Sequence, residues 1–302
     1  MLVDGWTLRG EAVKALPKQL PPIGQCREML DGAIAICQAA NLRNLPPRFW
    51  AESAAWLFRL GFTPERLYFM RAQRPVAGKT GLLDAIRPMP ALETKRPLQP
   101  VAHPYAVEYI AGFACARVAD RAYGNQVWDW YYDVEEGFKG LLDNVWRHGG
   151  GRGFAMMDVH GGRFIEGVVA DTGIGFRRDL SDGIARLDAL LYCLGIPKNL
   201  DRPQTRRHLW EGLVVNAHWK ASPEWTASLR KFWVVLNRLC AEVVVKTGRF
   251  VIRRGIDGVP HLRIVSRENA WPGFSYAFRF PLQPDLQLPL ALKPVPREEL
   301  EV

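Results

Sequence analysis

The sequence predicts an α+β protein: a mixed β-sheet with helices on one face, preceded by a smaller and mostly helical N-terminal region. Three observations predict it. Residues 134–147 place Val134, Phe138, Leu141, Leu142, Val145 and Trp146 mostly at helical spacing. Two apolar runs, 154–159 and 164–170, flank His160-Gly161-Gly162, a hairpin signal. Beyond residue 240 the apolar pattern shortens to strand-length runs, 242–246, 249–253, 261–265 and 276–280, with Thr247-Gly248 between the first two.

The elements follow in order. Pro21-Pro22 and Pro46-Pro47 punctuate residues 1–100, where 26–40 and 49–60 are predicted as helices, the second ending at Gly61. Ala77-Gly78-Lys79-Thr80 has the ending of a phosphate-binding loop, but Gln73 stands where that loop needs glycine and no buried strand precedes it. A basic turn is the expectation there. Residues 103–123 read as a helix. The cluster Trp128, Trp130, Tyr131 and Tyr132 reads as core or packing surface rather than a base-stacking platform.

The helix over 134–147 carries a second stripe: Gly137, Gly140, Asn144 and His148. Glycine inside a helix costs about 1 kcal/mol relative to alanine, so this stripe predicts close approach by backbone or ligand. Gly149-Gly150-Gly151 ends the helix. The hairpin's second strand then delivers Asp171, followed by Thr172-Gly173-Ile174-Gly175. A carboxylate at a strand end can accept from an exocyclic amine such as adenine's, and glycines let backbone approach a flat ring. Taken singly, Asn144 reads as a solvated polar residue and Asp171 as part of a plain turn; their order, with a hairpin between, suits a magnesium-bound nucleotide.

With these residues in hand, the chain resembles the GHKL (Bergerat-fold) ATPase superfamily over roughly 103–282. The stretch 141–148 resembles its N box and 170–176 its first glycine box. The resemblance implies a histidine-kinase-like ATP-binding domain over 101–283, with ATP and Mg²⁺ as ligands. Asn144 would coordinate the Mg²⁺ that bridges the phosphates. Asp171 would bind the adenine amino group, and Gly173 and Gly175 would shape the pocket. His148, closing the N box, and Arg177, opening a basic lid over 176–222, would add nucleotide contacts; Arg forks suit phosphate oxygens. The run 46–62 resembles the end of a STAS-type module.

The chain also departs from the family pattern. Gly140 stands where hydrolysing members carry the glutamate that activates water, and Glu136 lies a further turn away. Hydrolysis is therefore left open, and a partner could supply the phosphoacceptor, since phosphoryl transfer rests mainly on positioning and charge neutralisation. The helix predicted over 223–240, with Ser222 as N-cap and Pro223 in its first turn, follows no second glycine box. Ser275-Tyr276-Ala277-Phe278 lacks the threonine expected near the last strand.

Composition bounds the rest. Of 302 residues, 48% are hydrophobic, ample for a core, and no apolar run reaches membrane-spanning length. Cys26, Cys37, Cys115, Cys193 and Cys240 show neither metal spacing nor a disulfide framework, so reduced thiols and a cytoplasmic location are expected. The net charge of +9 admits nucleic acid or an acidic protein as partner, though no DNA-reading motif is present. Residues 284–302, with Pro284, Pro289, Pro294 and Pro296, read as an extended tail. Three functions follow: a regulatory ATP-binding protein with a protein partner and open kinase activity, a scaffold that has lost ATP, or an ATP-gated nucleic-acid-binding protein.

Overall fold

A computed structural model of the chain describes residues 5–10, 29–39, 41–70, 73–88, 90, 96–123, 130–148, 152–173, 223–256, 260–266 and 269–282. The expected lid, Gly175, Arg177 and the tail from 284 lie outside them, as does the side chain of His148. The described strands are β1 (Trp6–Arg9), β2 (Ile34–Cys37), β3 (Leu67–Phe69), β4 (Leu98–Val101), β5 (Gly153–His160), β6 (Phe164–Asp171), β7 (Glu242–Gly248), β8 (Phe250–Arg254), β9 (Pro260–Ile264) and β10 (Trp271–Pro281). The helices are α1 (Pro47–Arg59), α2 (Arg74–Thr80), α3 (Leu82–Ala85), α4 (Tyr105–Tyr123), α5 (Trp130–His148) and α6 (Pro223–Arg238). The class is α+β, as expected.

One feature departs from expectation. The seven-stranded sheet, ordered β4-β5-β6-β10-β7-β8-β9, is antiparallel at every pairing rather than mixed. Helices α4, α5 and α6 cover one side, where Val134, Phe138, Phe232 and Phe278 share a core. The opposite side packs against α1: Trp50, Ala54 and Trp56 join Phe154, Val168 and Ala277 in a second core. This is why β6 reads as a near-continuous apolar run, since both of its faces are buried.

The N-terminal region holds a sheet of its own, ordered β1-β2-β3. The helix predicted over 26–40 is absent; β2 takes its place. Asp31-Gly32 makes the turn before it, with Gly32 at φ +72° and its N–H donating to Asp31 Oδ1 at 3.0 Å. Within β2 the burial alternates, and Ala35 and Cys37 face the second core. An alanine-rich stretch favours helix by propensity, but pairing with β1 and β3 on either side decides otherwise. Because β3 runs parallel to β2, the connection between them requires a crossover, and α1 supplies it.

Helix α1 begins with Pro47 in its first turn and gives way at Leu60 to Gly61, at φ +75°. It is buried almost all round, as a helix set between two layers must be. Its polar residues are satisfied on both sides. Ser53 Oγ accepts from Trp6 Nε1 at 2.9 Å in the small-sheet layer. Glu52 reaches the large sheet, pairing with Lys246 Nζ at 2.7 Å and accepting from Ser275 Oγ at 2.9 Å.

The hairpin of β5 and β6 turns at the expected glycines: three residues, 161–163, join the paired His160 and Phe164, with Gly161 and Gly162 at φ +61° and +65° and the Arg163 N–H donating to His160 O at 3.3 Å. Residues 77–80 belong to α2, a short helix, not a phosphate-binding loop. Trp130 is core, edge-on to Phe280 at 5.3 Å, whereas Tyr132 is exposed. The buried Arg254 donates to the carbonyls of Trp233 and Ala241, at 3.1 and 3.4 Å, and so ties β8 to α6 and to the chain entering β7. Among the described residues no helix is long and apolar enough to cross a membrane.

Candidate functional site

Asp171 ends β6, and its surroundings are built by four segments. Across β5 it faces Gly153. Its Oδ1 accepts from the backbone N–H of Gly173 at 2.8 Å and of Phe274 at 3.4 Å. Its carbonyl accepts from Trp271 Nε1 at 2.9 Å. The side is closed by β10, where the register shifts between Trp271 and Phe274 and leaves Pro272-Gly273 as a bulge. Gly273 is needed there, because a Cβ would overlap the carbonyl oxygen and Oδ1 of Asp171 and come within 2.7 Å of the Thr172 Cα.

The carboxyl is 2% exposed. Burial pushes its pKa up to about 7, against the two backbone N–H bonds and the charge of Arg59, which pull it down. Asp171 is therefore poised between neutral and ionised near neutrality.

Asn144 occupies the last turns of α5, on the same end of the sheet. The neighbouring Val145 packs onto Gly153, where a Cβ would come within 3.3 Å of the Val145 Cβ and overlap its Cγ1. Gly153 is the cross-strand partner of Asp171. Helix α5 thus seats its C-terminal part over the strand pair that ends in Asp171, so Asn144 and Asp171 belong to touching elements. Asn144 is 5% exposed, and its Nδ2 has no hydrogen-bond partner among the described residues. A buried amide left unpaired costs about 1–3 kcal/mol, an unusual expense for a residue with only a packing role. Its neighbour Asp143 turns away to pair with Arg147 at 2.8 Å.

The glycine stripe of α5 has a different explanation at one position. Gly137 receives the ring of Phe232 from α6; a Cβ would lie 2.6 Å from Phe232 Cε2. Helix packing, not a ligand, accounts for that glycine. Of the other expected site residues, Gly173 donates its N–H to Asp171, and His148 closes α5. Gly175 and Arg177 lie outside the described residues.

Several supporting residues were not anticipated. Thr172 donates its hydroxyl to Ala55 O at 3.2 Å, and Arg59 donates to Thr172 O. Both ties join the turn after Asp171 to α1. Trp271 and Gly273 complete the shell. A glycine within a strand marks a bulge or close backbone approach, so Pro272-Gly273 carried a legible signal. Nothing in the sequence pairs Arg59 with a residue 113 positions away. No family model, curated protein or solved structure matches the chain.

Proposed function

We propose that this chain is a regulatory ATP-binding protein of the histidine-kinase-like type, which couples nucleotide state to a protein partner. The observation that carries the reading is Asn144: a buried amide, unpaired among the described residues, on the helix turn that packs over the partner strand of Asp171. A half-turn of the amide would offer oxygen in the same position, and a single protein oxygen with phosphates and water suffices for Mg²⁺. Asn144 Oδ1 would then be the protein's one ligand, with phosphates and water filling the remaining positions. In this reading Asn144 holds the cation and Asp171 accepts from the adenine amine. Gly173, Gly175, His148 and Arg177 complete the nucleotide contacts.

The N-terminal unit has the role of transmitter. Thr172 and Arg59 tie the turn after Asp171 to α1, the helix whose sequence resembles part of a STAS-type module. A nucleotide that shifts this turn would act directly on α1. The terminal phosphate could pass to a partner's hydroxyl or imidazole, and with Gly140 in place of the usual glutamate, water activation falls outside the proposal.

A second reading is favoured by Asp171 itself. Its Oδ1 already serves two backbone N–H groups, as it would in a scaffold that has kept the turn and lost the ligand. Calorimetry with ATP and ADP, with and without Mg²⁺, decides between them. The ATP reading expects saturable heat only with the metal, abolished in Asn144→Ala and weakened in Asp171→Ala. Absence of heat from the folded wild type would leave the scaffold.

A further inference from the structure

We propose a second ligand site, for a small multiply charged anion of the phosphate-ester or pyrophosphate class, in the cavity between the N-terminal unit and the α4 side of the large sheet. The cavity holds about 470 Å³ and is distinct in its walls from the Asn144–Asp171 region. Its cations come from separate stretches of chain. Arg43 follows β2, Lys79 is on α2, and Arg117 and Arg121 are on α4. His160, at the hairpin turn, adds an imidazole.

Among the described residues only one carboxylate lines this space, Asp158. It is already engaged by Arg121 at 2.5 Å and, more loosely, by Arg117 at 3.9 Å. Asp158 also accepts from its own neighbour, Val159 N–H, at 2.8 Å. Arg43 and Lys79 face the same cavity with no ion pair among the described residues. Four full positive charges against one negative leave an excess that a divalent or trivalent anion would neutralise.

Arg43, Lys79 and Arg121 are exposed at the cavity mouth, and Arg117 is the half-buried member of the cluster. The Arg117 side chain is 16% exposed, and its Nε is buried without a partner among the described residues while its Nη2 donates to Met157 O. Burial lowers its pKa, the direction that a bound anion would reverse. Guanidinium forks favour planar or tetrahedral oxyanions. The Lys79-Thr80 pair, set aside as a phosphate-binding loop, lines the wall through α2 instead. An anion held between Lys79 and Arg117 would fasten the N-terminal unit to the large sheet.

The test uses the full chain and inorganic pyrophosphate, with citrate as a carboxylate of comparable charge. Calorimetry should show saturable pyrophosphate binding that survives in Asn144→Ala, which separates this site from the proposed nucleotide site. The exposed-side variant Arg43→Ala/Lys79→Ala should weaken it by at least about tenfold, as expected when charged hydrogen bonds are lost, with an unchanged unliganded melting temperature. Citrate binding equal to pyrophosphate would keep the anion site and overturn its phosphate preference. Equal pyrophosphate affinity in wild type and the double variant, or no saturable binding to wild type, would overturn the site.

Discussion

Gly273 lies against Asp171 so closely that no side chain could stand between them: a Cβ at 273 would overlap both the carbonyl oxygen and Oδ1 of the aspartate. The bulge in β10 and the end of β6 are thus one unit, and the carboxylate is placed by backbone as much as by its own rotamer.

Gly273→Ala is accordingly expected to destabilise the fold by about 1–3 kcal/mol, the usual range for overpacking against atoms that cannot yield. Urea denaturation of the purified variant measures it. An unchanged midpoint would mean that β10 can retreat from Asp171.

The burial of Asp171 sets a pH dependence. Its folded pKa, about 7, lies above the ordinary carboxylate value of 3.8, so the folded state binds the extra proton. Between these values the native form holds more protons than the unfolded chain. Wild-type stability relative to Asp171→Asn should therefore fall as pH rises from about 4 to 7, by up to about 1.4 kcal/mol per pH unit, and flatten above. Denaturant midpoints of both proteins at pH 5 and pH 8 check the sign. A difference that rises with pH would contradict the buried position.

Asn144 should show a trade between stability and function. Asn144→Leu removes at similar size a buried amide whose Nδ2 is unpaired among the described residues. It is expected to leave stability unchanged or raise it by about 1 kcal/mol, while abolishing Mg²⁺–ATP binding if the proposed function holds. Thermal unfolding and calorimetry on the same sample read the two effects separately. A large destabilisation would show that the amide has a structural partner.

Glu52 joins α1 to the large sheet through Lys246 and Ser275. Glu52→Ala leaves Lys246, whose side chain is 21% exposed, without its counter-charge. A loss of about 3 kcal/mol is expected, the lower end for breaking a buried pair. A double-mutant cycle with Lys246→Met should return a coupling of at least about 0.5 kcal/mol. Additive effects would mean that the pair does not join the layers.

At Gly137 two effects oppose each other. Alanine improves helix propensity by about 1 kcal/mol, yet its methyl would run into the Phe232 ring. Overpacking costs about 1–3 kcal/mol, so Gly137→Ala should be destabilising on balance, and Phe232→Leu in the same chain should recover part of the loss. Chemical denaturation of the single and double variants tests this.

Local pattern made much of the C-terminal half legible. The spacing from Val134 to Trp146 gave α5, and two glycines after His160 gave the hairpin, because a 3.6-residue period and a positive-φ turn are properties of adjacent residues. The same reasoning failed at 26–40. There the alanines suit a helix, but β1 and β3 offer hydrogen bonds on both sides of Ile34–Cys37. Asn144 and Asp171 were visible as candidates, while Arg59, Trp271 and Gly273 were not assigned to them.

The sequence by itself determined the class of the chain, the turn of β5 into β6, and the two polar residues that interrupt an apolar helix and strand. Only tertiary structure decided that α1 lies between two sheets, that β5, β6 and β10 are largely buried on both faces, and that Val145, beside Asn144, is set over the strand partner of Asp171. The physical reason is range. Periodicity and turn chemistry act within a few residues, whereas the burial of Asp171 depends on Phe274, 103 positions away, and the turn beside it on Ala55, 117 positions away.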